Sequence, residues 1–152
     1  MNLIYDTNII LAIIRSKKTD RLIDFLNPLD KNVYSSIVIE AEVKSIAMRN
    51  KWGKNKLDKL DYYFDQFSTF EVTRAFINSY IEIDTYSQRA NPNFKEYSFD
   101  TPRNMGKNDL WIASTATLLG LELITTDADF AHLHNVFLEV RQINPSDLKQ
   151  YF

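Results

Sequence analysis

The chain has 152 residues, of which 45% are hydrophobic and 25% charged, with three glycines and four prolines. These values are typical of a folded globular protein and leave no room for a low-complexity linker, so we predict a single domain over residues 1–152. The absence of cysteine excludes a disulfide framework and a cysteine-based zinc site. A formal net charge of -2 argues against nucleic-acid binding by bulk electrostatics, so any such role must depend on local patches.

The most apolar segment, residues 3–14, is far shorter than the roughly 20 residues that span a bilayer. It is interrupted by Asp6 and Asn8 and lacks the basic start and cleavage site of a signal peptide. We therefore expect a cytoplasmic protein that has no membrane partner.

The first half of the chain alternates short apolar runs with helical patterns. Its predicted elements are a strand over residues 3–5, a helix over 9–14, a helix over 19–26, a strand over 33–38, a helix to about residue 50, a helix with Leu57, Leu60, Phe64 and Phe67 on one buried face, and a strand over 70–73.

The second half continues this alternation around one long loop. Its predicted elements are a helix over 75–87 with Ile77, Tyr80 and Ile81 inward, a loop over 90–105, a helix that begins at the N-cap Asn108 and ends at Gly120, a strand from Leu121 to Ile124, a strand over 137–143, and a short helix capped by Asn144. Alternating strands and helices without a tight hairpin signal predict the α/β class, a parallel sheet between layers of helices.

Acidic side chains occur where predicted strands end or helices begin. Asp6 and Asp127 each follow a buried strand, Asp109 lies in a first helical turn, and Glu40 and Glu42 follow the strand over 33–38. Because ligands of open parallel sheets bind outside the carboxyl ends of the strands, we expect acids from distant parts of the chain to meet there.

A cluster of carboxylates persists at neutral pH mainly when a cation lies among them, because the charges repel each other. Ligands that are all oxygen select hard ions such as Mg²⁺ or Mn²⁺. Such ions orient a water for attack on a phosphodiester and stabilise charge on the leaving oxygen. The pattern therefore indicates metal-assisted phosphodiester hydrolysis, although each acid alone has a simpler interpretation as a helix cap, a turn residue or a solvated side chain.

Four motifs, in this order, resemble those of the PIN-domain family along most of the chain. They are Leu3-Ile4-Tyr5-Asp6-Thr7-Asn8, the stretch from Ser36 to Glu42, Gly106-Lys107-Asn108-Asp109-Leu110-Trp111-Ile112-Ala113, and Thr125-Thr126-Asp127-Ala128-Asp129-Phe130. By this resemblance the four acids of the site are Asp6, Glu42 rather than Glu40, Asp109 and Asp127, with Asp129 as a helper. The segment over 90–105 departs from the family because it is longer than the usual link into the third motif.

The resemblance implies a three-layer α/β/α sandwich and a Mg²⁺- or Mn²⁺-dependent ribonuclease whose four acids hold the metal. A single-domain member of this size is most similar to the toxin of a VapBC toxin-antitoxin pair, which implies a homodimer inhibited by a cognate antitoxin. Lys107 is a candidate phosphate ligand because it lies next to Asp109, and Asn8 and Thr126 are weaker candidates for substrate binding.

Three weaker signals carry two interpretations each. The basic run of Lys51, Trp52, Lys54, Lys56 and Lys59 either contacts RNA or forms a solvated helix face. The aromatic residues of the long loop, Phe94, Tyr97 and Phe99, either bind a partner or anchor the loop to the core. His132 and His134 have the spacing of a metal pair but no further ligands nearby in sequence, so we leave them out of the site.

Other functional classes fit the residues less well. A receiver-like phosphate switch needs an acceptor Asp after the third strand, and a phosphatase of the Asp-x-Asp kind needs a second acid where this chain has Asn8. Two alternatives within the family remain: a nuclease of RNA processing that is not a toxin, and a scaffold that binds RNA or protein without cleaving. The presence of all four acids argues against the scaffold.

Overall fold

The structure is a computed structural model that describes residues 1–152 and contains one five-stranded parallel sheet flanked by helices. The strands are β1 (Leu3–Tyr5), β2 (Val33–Ser36), β3 (Ser68–Phe70), β4 (Glu122–Thr125) and β5 (Glu139–Gln142). The α-helices are α1 (Thr7–Arg15), α2 (Thr19–Leu26), α3 (Ile37–Arg49), α4 (Lys54–Gln66), α5 (Ile77–Ser87), α6 (Lys107–Leu119) and α7 (Pro145–Leu148). None of them has the length and hydrophobicity that crossing a membrane would require.

The strand order is β3-β2-β1-β4-β5, with every neighbouring pair parallel. The chain moves outward in one direction from β1 to β3 and in the other from β4 to β5. Because parallel crossovers are right-handed, this order puts α1 to α4 on one face of the sheet and α5 and α6 on the other. The predicted α/β/α sandwich with a parallel sheet is thus confirmed.

The core forms around the two central strands, β1 and β4. All three residues of β1 are buried, and so are the last three of β4. The helix α1 is buried from Ile9 to Ile14, because it lies under α2, α3 and α4 as well as on the sheet. This burial explains why its sequence is apolar nearly all round, and it fixes the start of α1 rigidly against the end of β1.

Local hydrogen bonds move several element ends away from the predicted positions. The strand predicted over 33–38 ends at Ser36, because the Ser36 hydroxyl accepts from the Ile39 N–H at 3.3 Å and starts α3. The third strand lies over 68–70 rather than 70–73, since Thr73 caps a 3₁₀ helix over 74–76. Asn108 is not the N-cap of α6; Gly106 takes that position, and Gly120 ends the helix with a φ of 64°.

The faces of α4 and α5 also differ from the prediction. On α5, Ile77 and Ile81 are 37% and 52% exposed, and the buried residues are Ile83, Tyr86 and Ser87. The prediction of Ile77 and Ile81 as inward is therefore wrong, because apolar side chains occur on both sides of this helix. On α4, only Leu60 and Phe64 of the predicted face are buried, and Leu57 is 40% exposed.

The long loop over 90–105 contains no helix or strand, as predicted, yet it is well anchored. The ring of Tyr86 contacts the loop residues Phe94, Tyr97 and Phe99 at centroid distances of 4.7, 5.2 and 5.5 Å. The Asn91 amide donates to the Glu82 carboxylate at 2.7 Å. These aromatic residues therefore hold the loop against α5, in agreement with the simpler of their two interpretations.

Candidate metal and catalytic site

The candidate site lies where the strand order reverses, between β1 and β4. Asp6 directly follows β1, and its N–H donates to the Ile124 carbonyl at 3.0 Å, which extends the pairing with β4 by one residue. Asp127 follows the end of β4 across the same gap. The reversal point of an open parallel sheet is the place where helices separate and leave a crevice for a ligand.

Asp6 is held in one orientation by two hydrogen bonds. Its Oδ1 accepts from the Thr7 N–H at 2.8 Å, and its Oδ2 accepts from the Thr125 hydroxyl at 2.7 Å. The side chain is buried, with 5% of its surface exposed. Burial raises the pKa of Asp6, the two hydrogen bonds oppose that shift, and the charges of Asp127 and Glu42 add to it.

Glu42 lies in the second turn of α3 and reaches the site through Thr7. The Thr7 hydroxyl donates to Glu42 Oε2 at 2.9 Å, which links the start of α1 to α3. Glu40 is oriented differently and pairs with Lys44 on its own helix, with Nζ and Oε1 separated by 3.5 Å. Of the two glutamates after β2, therefore, Glu42 is the one that contacts the residues around Asp6.

Asp109 occupies the first turn of α6, where the positive end of the helix dipole favours a carboxylate. Its pKa is nevertheless raised to about 7, first by burial and then by the charges of Asp6, Asp127, Glu42 and Asp129. The electrostatic influence of all four other acids on this one carboxyl indicates that the five lie around a common centre. Without a cation, the cluster binds a proton at nearly neutral pH.

Three of the acids come closest together. Asp109, Asp127 and Asp129 each offer a carboxylate oxygen, and these oxygens lie within 4.8 Å of one another. The Asp129 N–H donates to Asp127 Oδ1 at 2.8 Å, which caps the 3₁₀ helix over 128–133 and orients the Asp127 carboxylate. The Asp127 N–H in turn donates to the Thr125 hydroxyl at 3.0 Å.

This donor set fits a hard divalent cation. The ligand atoms are carboxylate oxygens from three aspartates at one centre, and no thiol or imidazole is among them. The raised pKa of Asp109 also favours a cation at this position, because a positive charge would offset the repulsion between the carboxylates that raises this pKa.

The sequence analysis assigned no role to two threonines of the site. Thr125 joins Asp6 to the Asp127 backbone, and Thr7 joins the Asp6 segment to Glu42. The signal that could have revealed them is a hydroxyl residue within two positions of each strand-end acid. Their effect is to fix the distances between acids that belong to different elements.

The predicted substrate-binding residues border the acids on the protein surface. Asn8 and Lys107 are exposed, in the first turns of α1 and α6. Thr126 is half-buried between Thr125 and Asp127. None of the three side chains is used in a hydrogen bond within the fold, so all remain available to a ligand.

Two lysines of the basic run and both histidines form contacts within the fold. Lys54 pairs with Asp58, with 2.6 Å between Nζ and Oδ2, and Lys59 Nζ donates to the Thr19 hydroxyl at 2.7 Å. His132 Nε2 forms a 2.7 Å hydrogen bond with the Ser87 hydroxyl, and burial and the charge of Arg103 lower its pKa to about 4. His134 accepts from the Val140 N–H at 2.9 Å. The histidines therefore do not form a metal pair.

Several solved structures share this fold. VapBC2 from Rickettsia felis, bound to a DNA fragment from its promoter, matches with a TM-score of 0.73 and 21% identity over 95% of this chain and 100% of that chain. VapBC-1 from nontypeable Haemophilus influenzae matches with a TM-score of 0.67 and 20% identity over 93% of this chain and 98% of that chain. VapBC-5 from Mycobacterium tuberculosis has a TM-score of 0.63, 20% identity and the same coverages, 93% and 98%.

A family-level comparison agrees with the fold and with the motifs. No curated protein gives a significant sequence match. The model of the PIN domain matches residues 3–135, a range that includes Asp6, Glu42, Asp109, Asp127 and Asp129. The chain therefore belongs to the PIN-domain family.

Proposed function

We propose that this protein is a metal-dependent endoribonuclease that hydrolyses phosphodiester bonds of RNA. The observation that supports it most is the convergence of the Asp109, Asp127 and Asp129 carboxylates within 4.8 Å at the reversal point of the sheet. Asp6 and Glu42 complete the catalytic set, because their charges contribute to the raised pKa of Asp109. Mg²⁺ or Mn²⁺ is the proposed cofactor, since the ligands are all oxygen.

When bound, the ion would lower the pKa of an attacking water and stabilise charge on the leaving oxygen. The chain itself supplies orientation. The Thr7 N–H and the Thr125 hydroxyl hold the Asp6 carboxylate in one orientation. The Asp129 N–H orients the Asp127 carboxylate in the same way. Asp109 would lose its proton when the ion binds, because the cation would offset the repulsion that raises the pKa of this carboxyl to about 7.

Residues beside the acids would position the RNA. Lys107 is exposed in the first turn of α6, two positions before Asp109, so its ammonium can neutralise a phosphate near the scissile bond. Asn8 and Thr126 offer neutral polar groups next to the acids in sequence, at the start of α1 and after β4. These three side chains are the proposed substrate contacts.

We propose further that the chain is a toxin of the VapC type, which acts in the cytoplasm and is inhibited by a cognate antitoxin. Support comes from the similarity of the fold to VapBC complexes over more than nine-tenths of each chain. A solved toxin-antitoxin complex from Klebsiella pneumoniae also matches, with a TM-score of 0.64 and 15% identity over 93% of this chain and 100% of that chain.

A homodimer is the proposed assembly. Ile77 and Ile81 lie one turn apart on α5 and are 37% and 52% exposed, so they offer an apolar surface that a second copy would cover. We expect light scattering to give twice the mass of the chain for the wild type and the mass of one chain for Ile81→Glu. A wild type that remains monomeric at high concentration would contradict this part of the proposal.

The test of the nuclease is cleavage of end-labelled total tRNA and ribosomal RNA by the purified protein with Mg²⁺, Mn²⁺ or EDTA. Discrete fragments that require metal and are absent with Asp109→Asn are the expected result. Folded protein that is free of antitoxin and cuts in no metal would contradict the proposal. Growth arrest on expression of the wild type, but not of Asp109→Asn, would test the toxin assignment separately.

A further inference from the structure

A groove with a volume of about 670 Å³ runs along α3. One of the candidate acids, Glu42, is among the residues that line it. Asn108, which is exposed in the first turn of α6 next to Asp109, also lines the groove. The groove therefore borders the candidate site at Glu42 and at the residue before Asp109, while the three clustered aspartates lie outside its lining.

One face of α3 forms the floor of this groove. Glu42, Ser45 and Arg49 recur at spacings of three and four residues, so they form a stripe along the same side of the helix. At a rise of about 1.5 Å per residue, the Cα atoms of Glu42 and Arg49 are separated by roughly 10 Å along the axis. The groove thus has an acidic end at the metal site and a basic end at the last turn of α3.

Arg49 is available to a ligand. Its side chain is exposed, and it takes part in none of the three ion pairs of the structure. Its guanidinium is always charged and presents a planar set of donors that matches a phosphate. The Ser45 hydroxyl, which lies between Glu42 and Arg49 on α3, and the Asn108 amide also make no hydrogen bond within the fold and can donate or accept.

The remaining wall of the groove is apolar. Ile37 and Val38 contribute to it from the first turn of α3, and Ile37 is 42% exposed. An apolar wall beside polar groups and one cation suits a nucleotide, whose base is flat and largely apolar on its faces and whose phosphate is anionic.

We infer that this groove is the path of the single-stranded RNA beside the scissile phosphate, and that Arg49 binds a flanking phosphate of the same strand. This inference rests on the proposed ribonuclease function and deepens it, because it names the form of the substrate and the residue that binds outside the catalytic centre. Arg49 is a substrate-binding residue and takes no part in the chemical step. The base next to the scissile phosphate contacts Ile37 and Val38.

The experiment measures RNA binding in a background that does not cleave. Asp109→Asn is compared with Asp109→Asn/Arg49→Ala, using fluorescently labelled single-stranded RNA of mixed sequence and fluorescence anisotropy in Mg²⁺ buffer. The matched control is Asp109→Asn/Arg21→Ala, which removes the same exposed charge from α2, a helix that contacts α1 and the C-terminal segment rather than the groove. Thermal melting of each variant establishes that it is folded.

Arg49→Ala is expected to weaken binding about tenfold, the usual loss for one charged contact. The slope of log K against log salt should fall by about 0.7, because one phosphate contact to a single strand is lost. Arg49→Lys should lose less, since lysine keeps the charge but lacks the planar fork. The Arg21→Ala control should leave both the affinity and the slope unchanged.

Equal affinities of the Arg49→Ala and Arg21→Ala variants would overturn the inference, and the groove would then serve another ligand, such as a protein partner. The outcome does not depend on cleavage. A wild type that binds RNA through Arg49 but never cuts it would support the groove and contradict the proposed nuclease. A wild type that cuts RNA without any contribution of Arg49 to binding would support the proposed nuclease and contradict the role of the groove.

Discussion

Two parts of the acidic site are built in opposite ways. Asp6 and Glu42 each accept a hydrogen bond from a threonine hydroxyl, at 2.7 and 2.9 Å. Asp109 has no such partner, and it lies with Asp127 and Asp129 in a group whose oxygens are within 4.8 Å of one another. Threonine hydroxyls orient the first pair, whereas the second group concentrates negative charge and therefore attracts a cation. A metal site needs both, because ligands must be fixed in place and must also attract the ion.

The largest effect is expected from removing a charge in the crowded group. Asp109→Asn should reduce cleavage about a thousandfold or more, since the site would lose a carboxylate that holds the ion. The same change should leave the protein folded and raise its melting temperature without metal, because it relieves repulsion that raises the pKa of Asp109 to about 7. Parallel rate and melting measurements would check this. A loss of both activity and stability would show that Asp109 has a structural role instead.

The two glutamates of α3 give a matched comparison. Glu42→Gln should lower cleavage about a hundredfold or more, since this side chain contacts Thr7 and influences the other acids. Glu40→Gln should change the rate less than about twofold, because Glu40 only pairs with the exposed Lys44. Initial rates on one RNA under the same conditions test both variants. Equal losses would mean that the site does not distinguish the two glutamates.

An intermediate effect is expected at the hydroxyl that orients Asp6. Thr125→Val keeps the shape of a fully buried side chain but leaves Asp6 Oδ2 and the Asp127 N–H without their partner. We expect cleavage to fall about 10- to 100-fold and the free energy of unfolding to fall by about 1–3 kcal/mol. Thr125→Ser, which keeps the hydroxyl, is the control and should recover most of the activity. Denaturant titration and initial rates measure the two effects.

The smallest effect is a dependence of stability on pH. The pKa of Asp109 is about 7 in the folded chain and 3.8 for a free side chain, so the folded state binds more protons between these values. The contribution of this carboxyl to the free energy of unfolding should therefore fall as pH rises from about 4 to about 7. We expect a change on the order of 1 kcal/mol, because half-exposure screens the repulsion. Melting curves of the wild type should show this slope, and Asp109→Asn should reduce it, leaving the smaller contribution of Asp6, whose pKa is also raised.

Much of the fold follows from the sequence, because strand-end acids and caps have strong local signals. Asp6 and Asp127 end buried strands, and in a parallel sheet such ends share one edge whatever the rest of the chain does. Local sequence signals do not show which strands pair, and only the structure shows that β1 and β4 are neighbours in the sheet. That pairing is what makes the two acids face the same crevice.

Other features depend on tertiary contacts that a local pattern does not specify. On α5, both Ile77–Ile81 and Ile83–Tyr86 are apolar, and only the packing against α6 and the long loop decides which pair is buried. Thr125 could be interpreted as the end of a strand but not as the donor to Asp6, since the two residues are 119 positions apart. The sequence likewise does not show that Glu42, Ser45 and Arg49 line a groove, because the groove forms only when α3 and α6 pack together.

The most direct test of the metal site is Mn²⁺ binding, followed by electron paramagnetic resonance, in the wild type and in Asp109→Asn at pH about 7.5. Free and bound Mn²⁺ give different signals, so the measurement requires neither a substrate nor an antitoxin. We expect saturable binding to the wild type, competition by Mg²⁺, and at least tenfold weaker binding to the variant. Equal affinity of the two proteins, or no saturable binding to the wild type, would contradict the claim that these carboxylates form a metal site.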